Sequence, residues 1–352
     1  MTDGAAGTVN GVLTELVYVF LGNSLPDYAI PSIRFSAEAT GAPVRVLADF
    51  SRPADLPLTC SWTHTGDFYR NEEFSTFKGQ SKLPAEFREG FWLKTAERFF
   101  VLRDFMYWSG AKAIFHAELD VIVYSLDEIE RAAESSKLSG VFMPRETSDR
   151  VVASLFFSNS AGAMDELCGQ LTERAHLGNE MDILGSLTSS SFSWMHSLPT
   201  AEFLYRGSAS PKPGGSWPVV GEARGFLVDG AVLGRWLYGV DPKNTNSAGT
   251  QNLIQRQKNT VPFELPLNQL RFDFNSEQKR LRVRRLDDSW HDVLAVHVHS
   301  KIHQTLTNRR ATTIVKRANK LRKSVIVRKK LDWYLRRLRR VVKDARLFMT
   351  SS

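Results

Sequence analysis

Two carboxylates separated by one residue lie inside an apolar stretch of this sequence. Glu118 and Asp120 interrupt residues 113–124, whose other members are mainly β-branched, aromatic or small, and such a run predicts a buried strand. Because alternate residues of a strand share a face, both acids are predicted to point the same way. Two ionised carboxylates facing together in a core are costly unless a cation neutralises them, and a divalent metal is the simplest such cation. Backbone amides or a lysine are the alternative partners.

A second group of side chains suited to chemistry occurs near residue 300. On a strand over residues 293–301, the side chains of His297, His299 and Lys301 would share one face. Two imidazoles and one ammonium on the same face need an anion or a metal opposite them. Their occurrence in one chain with the acidic pair favours a functional site over a purely structural role.

The elements that must position these side chains resemble a known family. A helix predicted over residues 92–107 carries Arg98, and a short turn joins it to the apolar strand with its acid-x-acid element. This arrangement resembles glycosyltransferases of the GT-A fold. Residues 115–121, FHAELDV, are similar to bacterial members that act in polysaccharide synthesis, although this chain has Glu118-x-Asp120 in place of the commoner Asp-x-Asp.

The resemblance implies a Mn²⁺ or Mg²⁺ ion that bridges the acid pair and the diphosphate of a nucleotide sugar. In the family a late histidine completes the metal site. This implies His299 as the preferred ligand here, with His297 close behind it. The basic residue that follows, Lys301, would then neutralise the leaving phosphate.

Arg98 and Asp49 are predicted to contact the donor. In the family an arginine at the place of Arg98 often contacts the nucleotide or the diphosphate, and a surface ion pair with Glu97 or Asp104 is the alternative. Asp49 ends the second strand of a βαβ unit predicted over residues 13–49, where an acid can meet a base or a ribose. An acid that only caps the end of a strand or helix is the alternative.

Asp182 and Asp229 are the candidate catalytic residues. In the family a similar Asn-acid-Met segment lies near the acceptor, which implies a base or an acceptor contact for Asp182 or Glu180. The alternative is that these acids favour the first turn of a helix that Asn179 is predicted to cap. Asp229 opens an Asp-Gly-Ala segment that resembles the family's strand-to-helix segment beside the active site.

Charge divides the chain into a body and a tail. Residues 309–352 contain 16 basic and two acidic residues, a net charge of +14, which leaves −6 for the rest of a chain whose total is +8. The tail is predicted to form a basic amphipathic helix. Docking on an anionic membrane surface, binding to a partner or RNA, and packing of its apolar stripe on the body are the open roles.

The predicted fold is α/β: a Rossmann-like mixed sheet of the GT-A kind, flanked by helices, over residues 1–308, with the tail as a separate basic helical unit. Residues 52–90 are predicted to be irregular loops over the site, and residues 270–284 a hairpin away from the main sheet. The two cysteines fit a reducing compartment, and the first residues do not resemble a signal peptide. A cytoplasmic location, including a peripheral one on the inner membrane face, is expected.

Together these patterns predict a metal-dependent glycosyltransferase. It would move a sugar from a nucleotide-sugar donor to a hydroxyl of a glycan or glycolipid acceptor. Nucleic-acid binding through the tail is a second class, disfavoured because the aromatic residues follow core patterns and no nucleic-acid motif occurs. A third class is another metal-dependent nucleotide enzyme, a nucleotidyltransferase or a hydrolase, and the absence of a glycine-rich phosphate loop disfavours only the P-loop kind.

Overall fold

The structure is a computed structural model of mixed α/β architecture. It describes residues 14–147, 150–188, 190, 192–200, 225–238, 270–284 and 289–298, together with 313, 315, 316 and 319. These residues form an eight-stranded sheet and a five-stranded sheet. The predicted α/β class, with a mixed sheet flanked by helices, is confirmed. His299, Lys301 and all but four positions of the tail lie outside the described residues.

The first sheet begins with four parallel strands. They are β1 (Glu15–Phe20), β2 (Val44–Ala48), β3 (Cys60–His64) and β4 (Ile114–Ala117), in the spatial order β3-β2-β1-β4. Helix α1 (Ala29–Thr40) connects β1 to β2, which confirms the predicted βαβ opening. Because the carboxyl ends of parallel strands meet at one edge, the segments that follow β1, β2 and β4 share that edge.

The rest of the first sheet contains mostly antiparallel pairs. Strand β8 (Leu155–Ser158) lies between β4 and β6 (Val141–Thr147) and is antiparallel to both. Strand β6 also pairs with the short β7 (Arg150–Val151) and, in parallel, with β9 (Met195–Leu198). Strand β4 is therefore an interior strand, which pairs with β1 on one side and with β8 on the other.

Two apolar cores lie on opposite faces of this sheet. Along β1, Val17 belongs to one core while Leu16 and Tyr18 belong to the other, as the two-residue period of a strand requires. Helices α2 (Glu72–Gln80), α3 (Phe91–Ser109), α5 (Ala161–Glu173) and α6 (Glu180–Leu187) contribute to the Val17 core, and α1 and α4 (Asp127–Ser135) contribute to the other. None of the helices in the described part of the chain is long and apolar enough to cross a bilayer.

Helix α3 is the largest contributor to the first core. It matches the helix predicted over residues 92–107, and Phe99, Phe100 and Phe105 are fully or almost fully buried. The helix ends at Gly110, whose positive φ of 70° suits glycine because it has no Cβ. Two arginines of α3 are also buried, and one of them faces the candidate site.

The second sheet is built around one long strand. Strand β13 (Trp290–His297) pairs with β10 (Phe226–Val228), β12 (Arg280–Arg284) and β5 (Val121–Val123). Strand β12 forms an antiparallel pair with β11 (Arg271–Asn275), which confirms the hairpin predicted away from the main sheet. The pairing of β5 with the last residues of β13 brings the two halves of the candidate site together.

The prediction of one interrupted strand over residues 113–124 is wrong. The segment forms two strands, β4 and β5, which belong to different sheets and are joined by a turn at residues 118–120. The amide of Val121 donates to the carbonyl of Glu118 at 2.9 Å and closes that turn. The two acids therefore stand at the junction between the sheets, where water reaches them, and not on the pleated face of a buried strand.

The prediction of irregular loops over residues 52–90 is also wrong, because this segment contains β3 and α2. Phe74 and Phe77 are three residues apart, share one face of α2, and pack against Phe100 of α3. Many of the polar residues of the segment lie on the outer face of α2, in β3 or in the turns. Composition alone does not reveal a short amphipathic helix within a polar segment.

Candidate metal centre

The turn between β4 and β5 meets the end of β13 at a cluster of three potential ligands. His297 Nε2 lies 3.3 Å from Asp120 Oδ1 and 3.4 Å from Glu118 Oε2. One potential ligand atom from each residue lies within 4.8 Å of the other two. Ligand atoms placed about 2 to 2.5 Å from a shared ion have separations of this size. The predicted proximity of the two acids is thus observed, although a turn produces it instead of the pleat of a strand.

A hydrogen bond at Nδ1 fixes the orientation of the His297 imidazole. Nδ1 lies 2.9 Å from the carbonyl oxygen of Gly230, so this nitrogen donates and Nε2 faces the acids. The backbone is also held, because the amide of Val298 donates to the carbonyl of Asp120 at 2.7 Å. A histidine whose second nitrogen donates to a backbone carbonyl is the usual arrangement of a metal ligand.

The electrostatics of the cluster favour a protonated His297 in the metal-free protein. Burial by itself lowers the pKa of this imidazole, because it disfavours the charged form. The carboxylates of Asp120 and Glu118 act in the opposite direction and raise the pKa of His297 to about 9. An imidazolium between two carboxylates is therefore the internal alternative to a metal ion, and an ion that binds at Nε2 must displace the proton.

The carboxylate of Asp229 holds the backbone of His297 in place. One oxygen of its buried carboxylate accepts from the amide of Leu233 at 2.8 Å, and the other accepts from the amides of Gly234 at 2.7 Å and His297 at 3.2 Å. Burial raises the pKa of Asp229, and these backbone donors partly offset that effect. The catalytic role of Asp229 stays a prediction, while its observed contacts tie the end of β13 to the first turn of α7 (Val232–Tyr238).

Helix α7 packs unusually close to the end of β13. A Cβ added to Gly234 would lie 1.7 Å from the carbonyl oxygen of His297, well inside van der Waals contact. Glycine is required at this position for close approach and not for its backbone angles. The helix and the histidine strand are therefore held as one unit.

Arg98 reaches the cluster from α3. Its Nη1 forms an ion pair with Oε1 of Glu118, and its Nη2 lies 3.9 Å from Oε1 of Glu180. The alternative of a surface ion pair with Glu97 or Asp104 is wrong, because Arg98 lies on the buried face of the helix. A contact between Arg98 and the donor stays a prediction, and the guanidinium meets two carboxylates of the protein itself.

Asp182 occupies the first turn of α6, where it closes a capping box. Asn179 Oδ1 accepts from the amides of Met181 and Asp182, and Asp182 Oδ2 accepts from the amide of Asn179 at 3.2 Å. The predicted cap at Asn179 is confirmed. Asp182 is exposed, and its catalytic role stays a prediction.

Asp49 follows β2 at the carboxyl edge of the parallel strands. Its Oδ1 accepts from the amide of Gly22, in the loop after β1, at 2.9 Å. The side chain is exposed. The structure places Asp49 at the edge of the sheet that also holds the Glu118–Asp120 turn, and its role in donor binding stays a prediction.

Comparisons with known proteins add a set of distant structural matches. No protein-family model matches this chain, and no curated protein sequence matches it. Mouse xyloside xylosyltransferase 1 is 9% identical, with 53% of this chain and 86% of that chain covered and a TM-score of 0.34. An active-site mutant of LgtC is 12% identical, with 56% and 80% covered and a TM-score of 0.37. The PaToxG glycosyltransferase is 7% identical, with 50% and 69% covered and a TM-score of 0.32.

Proposed function

We propose that this chain is a metal-dependent glycosyltransferase that moves a sugar from a nucleotide-sugar donor to a hydroxyl of a glycan or glycolipid, in cell-surface polysaccharide or glycolipid synthesis. The observation that carries the proposal is the convergence of Glu118, Asp120 and His297, with the histidine oriented by Gly230. The cluster follows β4 at the carboxyl edge of the parallel strands, where open α/β sheets bind their ligands. The resemblance of residues 115–121 to GT-A enzymes supports the same reading.

Charge balance supports a divalent ion at this point. The carboxylates of Glu118, Asp120 and Glu180 face the guanidinium of Arg98 and the imidazolium of His297, so the five groups carry one net negative charge when all are ionised. A divalent ion in place of the histidine proton makes the whole group neutral. Carboxylate ligands suit Mg²⁺ and Mn²⁺.

Glu118, Asp120 and His297 would hold the ion. When bound, Mn²⁺ or Mg²⁺ would act as a Lewis acid that stabilises the charge developing on the departing nucleoside diphosphate. Within the proposal, His299 and Lys301 add a ligand and a cation from the residues after β13, and Arg98 and Asp49 are the candidate donor contacts. Asp182 is the candidate acceptor contact.

A panel of nucleotide sugars tests the proposed reaction. The full chain is expected to release a nucleoside diphosphate from one of these donors when Mn²⁺ or Mg²⁺ is present, and to stop when the metal is chelated. Release of a nucleoside monophosphate or pyrophosphate would instead indicate a hydrolase or a nucleotidyltransferase. Release that persists undiminished after chelation would contradict the metal dependence.

Metal binding is expected to release a proton from His297. Because its pKa is raised to about 9, the imidazolium stabilises the metal-free fold most fully below the ordinary histidine pKa, and this contribution is lost as the pH rises through about 9. Because the ion competes with this proton, the affinity for the metal should increase with pH. Below the pKa of His297 the increase should approach about tenfold for each pH unit.

Calorimetric titration of Mn²⁺ in two buffers of different ionisation enthalpy measures the proton release. The expected value is close to one proton per ion at neutral pH. His176→Gln, which alters an exposed histidine in the turn after α5, is the control and should behave as the unmodified chain. Binding without proton release would show that the ion does not meet the nitrogen of His297.

A further inference from the structure

The guanidinium of Arg98 links two parts of the fold that are distant in sequence. It is 6% exposed, and its two terminal nitrogens face different carboxylates, those of Glu118 and Glu180. Among the described residues its buried Nε makes no hydrogen bond, and its ion pairs are with these two acids. The arginine thus connects α6 to the turn that carries the candidate metal ligands.

Glu180 is itself held firmly at the far end of this link. Its side chain is buried in the first turn of α6, and Oε2 accepts from the hydroxyl of Thr95 at 2.7 Å. Thr95 and Arg98 lie three residues apart on α3, one turn of the same helix face. The capping box at the start of α6 fixes the backbone beside Glu180. One oxygen of Glu180 is therefore fastened to α3 while the other faces Arg98.

The two oxygens of Glu118 have separate surroundings as a result. Oε1 pairs with Arg98, while Oε2 lies 3.4 Å from His297 Nε2 and faces the ligand cluster. If Arg98 were free to move, the carboxylate of Glu118 would be free to rotate away from the cluster, because the turn leaves it partly exposed. Fixing Oε1 therefore orients Oε2.

We propose that Glu180 is a positioning residue of the metal site, which holds Arg98 in place so that Arg98 directs Oε2 of Glu118 toward the ion. This inference rests on the proposed function, because it assumes a metal at Glu118, Asp120 and His297. In this role Glu180 acts through Arg98 and does not bind the ion or the acceptor, because both oxygens of its buried carboxylate face α3, at Thr95 and Arg98. It makes the affinity for the ion depend on the packing of α6 against α3.

Glu180→Gln tests the inference, since it removes the charge and keeps the size of the side chain. The affinity of the full chain for Mn²⁺ alone, without donor, is measured by the electron paramagnetic resonance signal of the free ion. The affinity is expected to fall by about three- to tenfold, less than the ten- to hundredfold typical when the direct hydrogen-bond partner of a metal ligand is lost, because Glu180 acts on Glu118 only through Arg98. Thermal unfolding of the metal-free protein is measured in parallel.

Glu73→Gln is the matched control. Glu73 pairs with Arg103, the other buried arginine of α3, so this variant makes the same chemical change away from the ligand cluster. It is expected to leave the Mn²⁺ affinity within about twofold of the unmodified value, even if it lowers the unfolding temperature as much as Glu180→Gln does. Equal weakening of Mn²⁺ binding by both variants, or unchanged binding by folded Glu180→Gln, would overturn the positioning role.

Three further outcomes keep the inference falsifiable and separate from the proposed function. If Glu180→Gln does not fold, Thr95→Val decides, because it removes the bond to Oε2 and keeps the charge: weaker Mn²⁺ binding supports the inference, and unchanged affinity overturns it. If the unmodified chain binds no Mn²⁺, both the metal site and the inference fail. If the unmodified chain and Glu180→Gln bind equally, only the positioning role fails.

Discussion

Asp120→Asn is expected to abolish metal-dependent sugar transfer. The substitution keeps the shape of the side chain but replaces a charged ligand with a neutral amide, and it removes a carboxylate beside His297. Loss of a contact to a catalytic metal costs several kcal/mol of transition-state stabilisation, so kcat/KM should fall by about a thousandfold or more. Turnover is measured with the donor that the panel identifies, over a range of Mn²⁺ concentrations.

Glu166→Gln is the control for this substitution, because Glu166 is an exposed acid of α5 and is not one of the three candidate ligands. It should transfer sugar at the unmodified rate. Thermal unfolding of both variants shows whether the fold is retained. Turnover by folded Asp120→Asn at the unmodified rate would remove Asp120 from the metal site.

Asp229→Ala is expected to destabilise the fold strongly. It leaves the buried amides of Leu233, Gly234 and His297 without their acceptor. A buried donor without a partner costs about 1 to 3 kcal/mol, so the free energy of unfolding should fall by at least about 3 kcal/mol. Urea denaturation of the metal-free protein measures this loss.

Asp182→Ala provides the comparison, because Asp182 also accepts a backbone hydrogen bond at a helix start but is exposed. Loss of such a surface cap costs about 1 kcal/mol. Equal losses for the two variants would contradict the structural role assigned to Asp229. Asp229→Asn separates that role from catalysis: a fully stable but inactive variant would support the catalytic role predicted for Asp229 from the sequence.

Local sequence patterns predicted much of the fold correctly. The βαβ opening, the long helix α3, the cap at Asn179 and the hairpin of β11 and β12 all follow from features within a few residues of each other. Hydrophobic period, turn residues and capping side chains carry that information directly. The errors at residues 113–124 arose because periodicity does not show which partner a strand pairs with.

The sequence predicts only part of the candidate site, because local patterns mark single residues but not the contacts between distant segments. The acid pair and His297 stand out because charged or titratable groups interrupt apolar strands. The contact between Thr95 and Glu180 joins positions 85 residues apart, and no local pattern indicates it. Likewise, the sequence suggested chemistry for Asp229, whereas its three backbone donors become apparent only when α7 and β13 are placed side by side.

Anomalous diffraction from crystals of the full chain grown with Mn²⁺ tests the metal site most directly. Data collected on both sides of the manganese absorption edge locate the ion without reference to activity. The account predicts one strong manganese peak in contact with the carboxylates of Glu118 and Asp120 and with Nε2 of His297. A manganese peak bound elsewhere, with His297 still paired to the two acids, would contradict it.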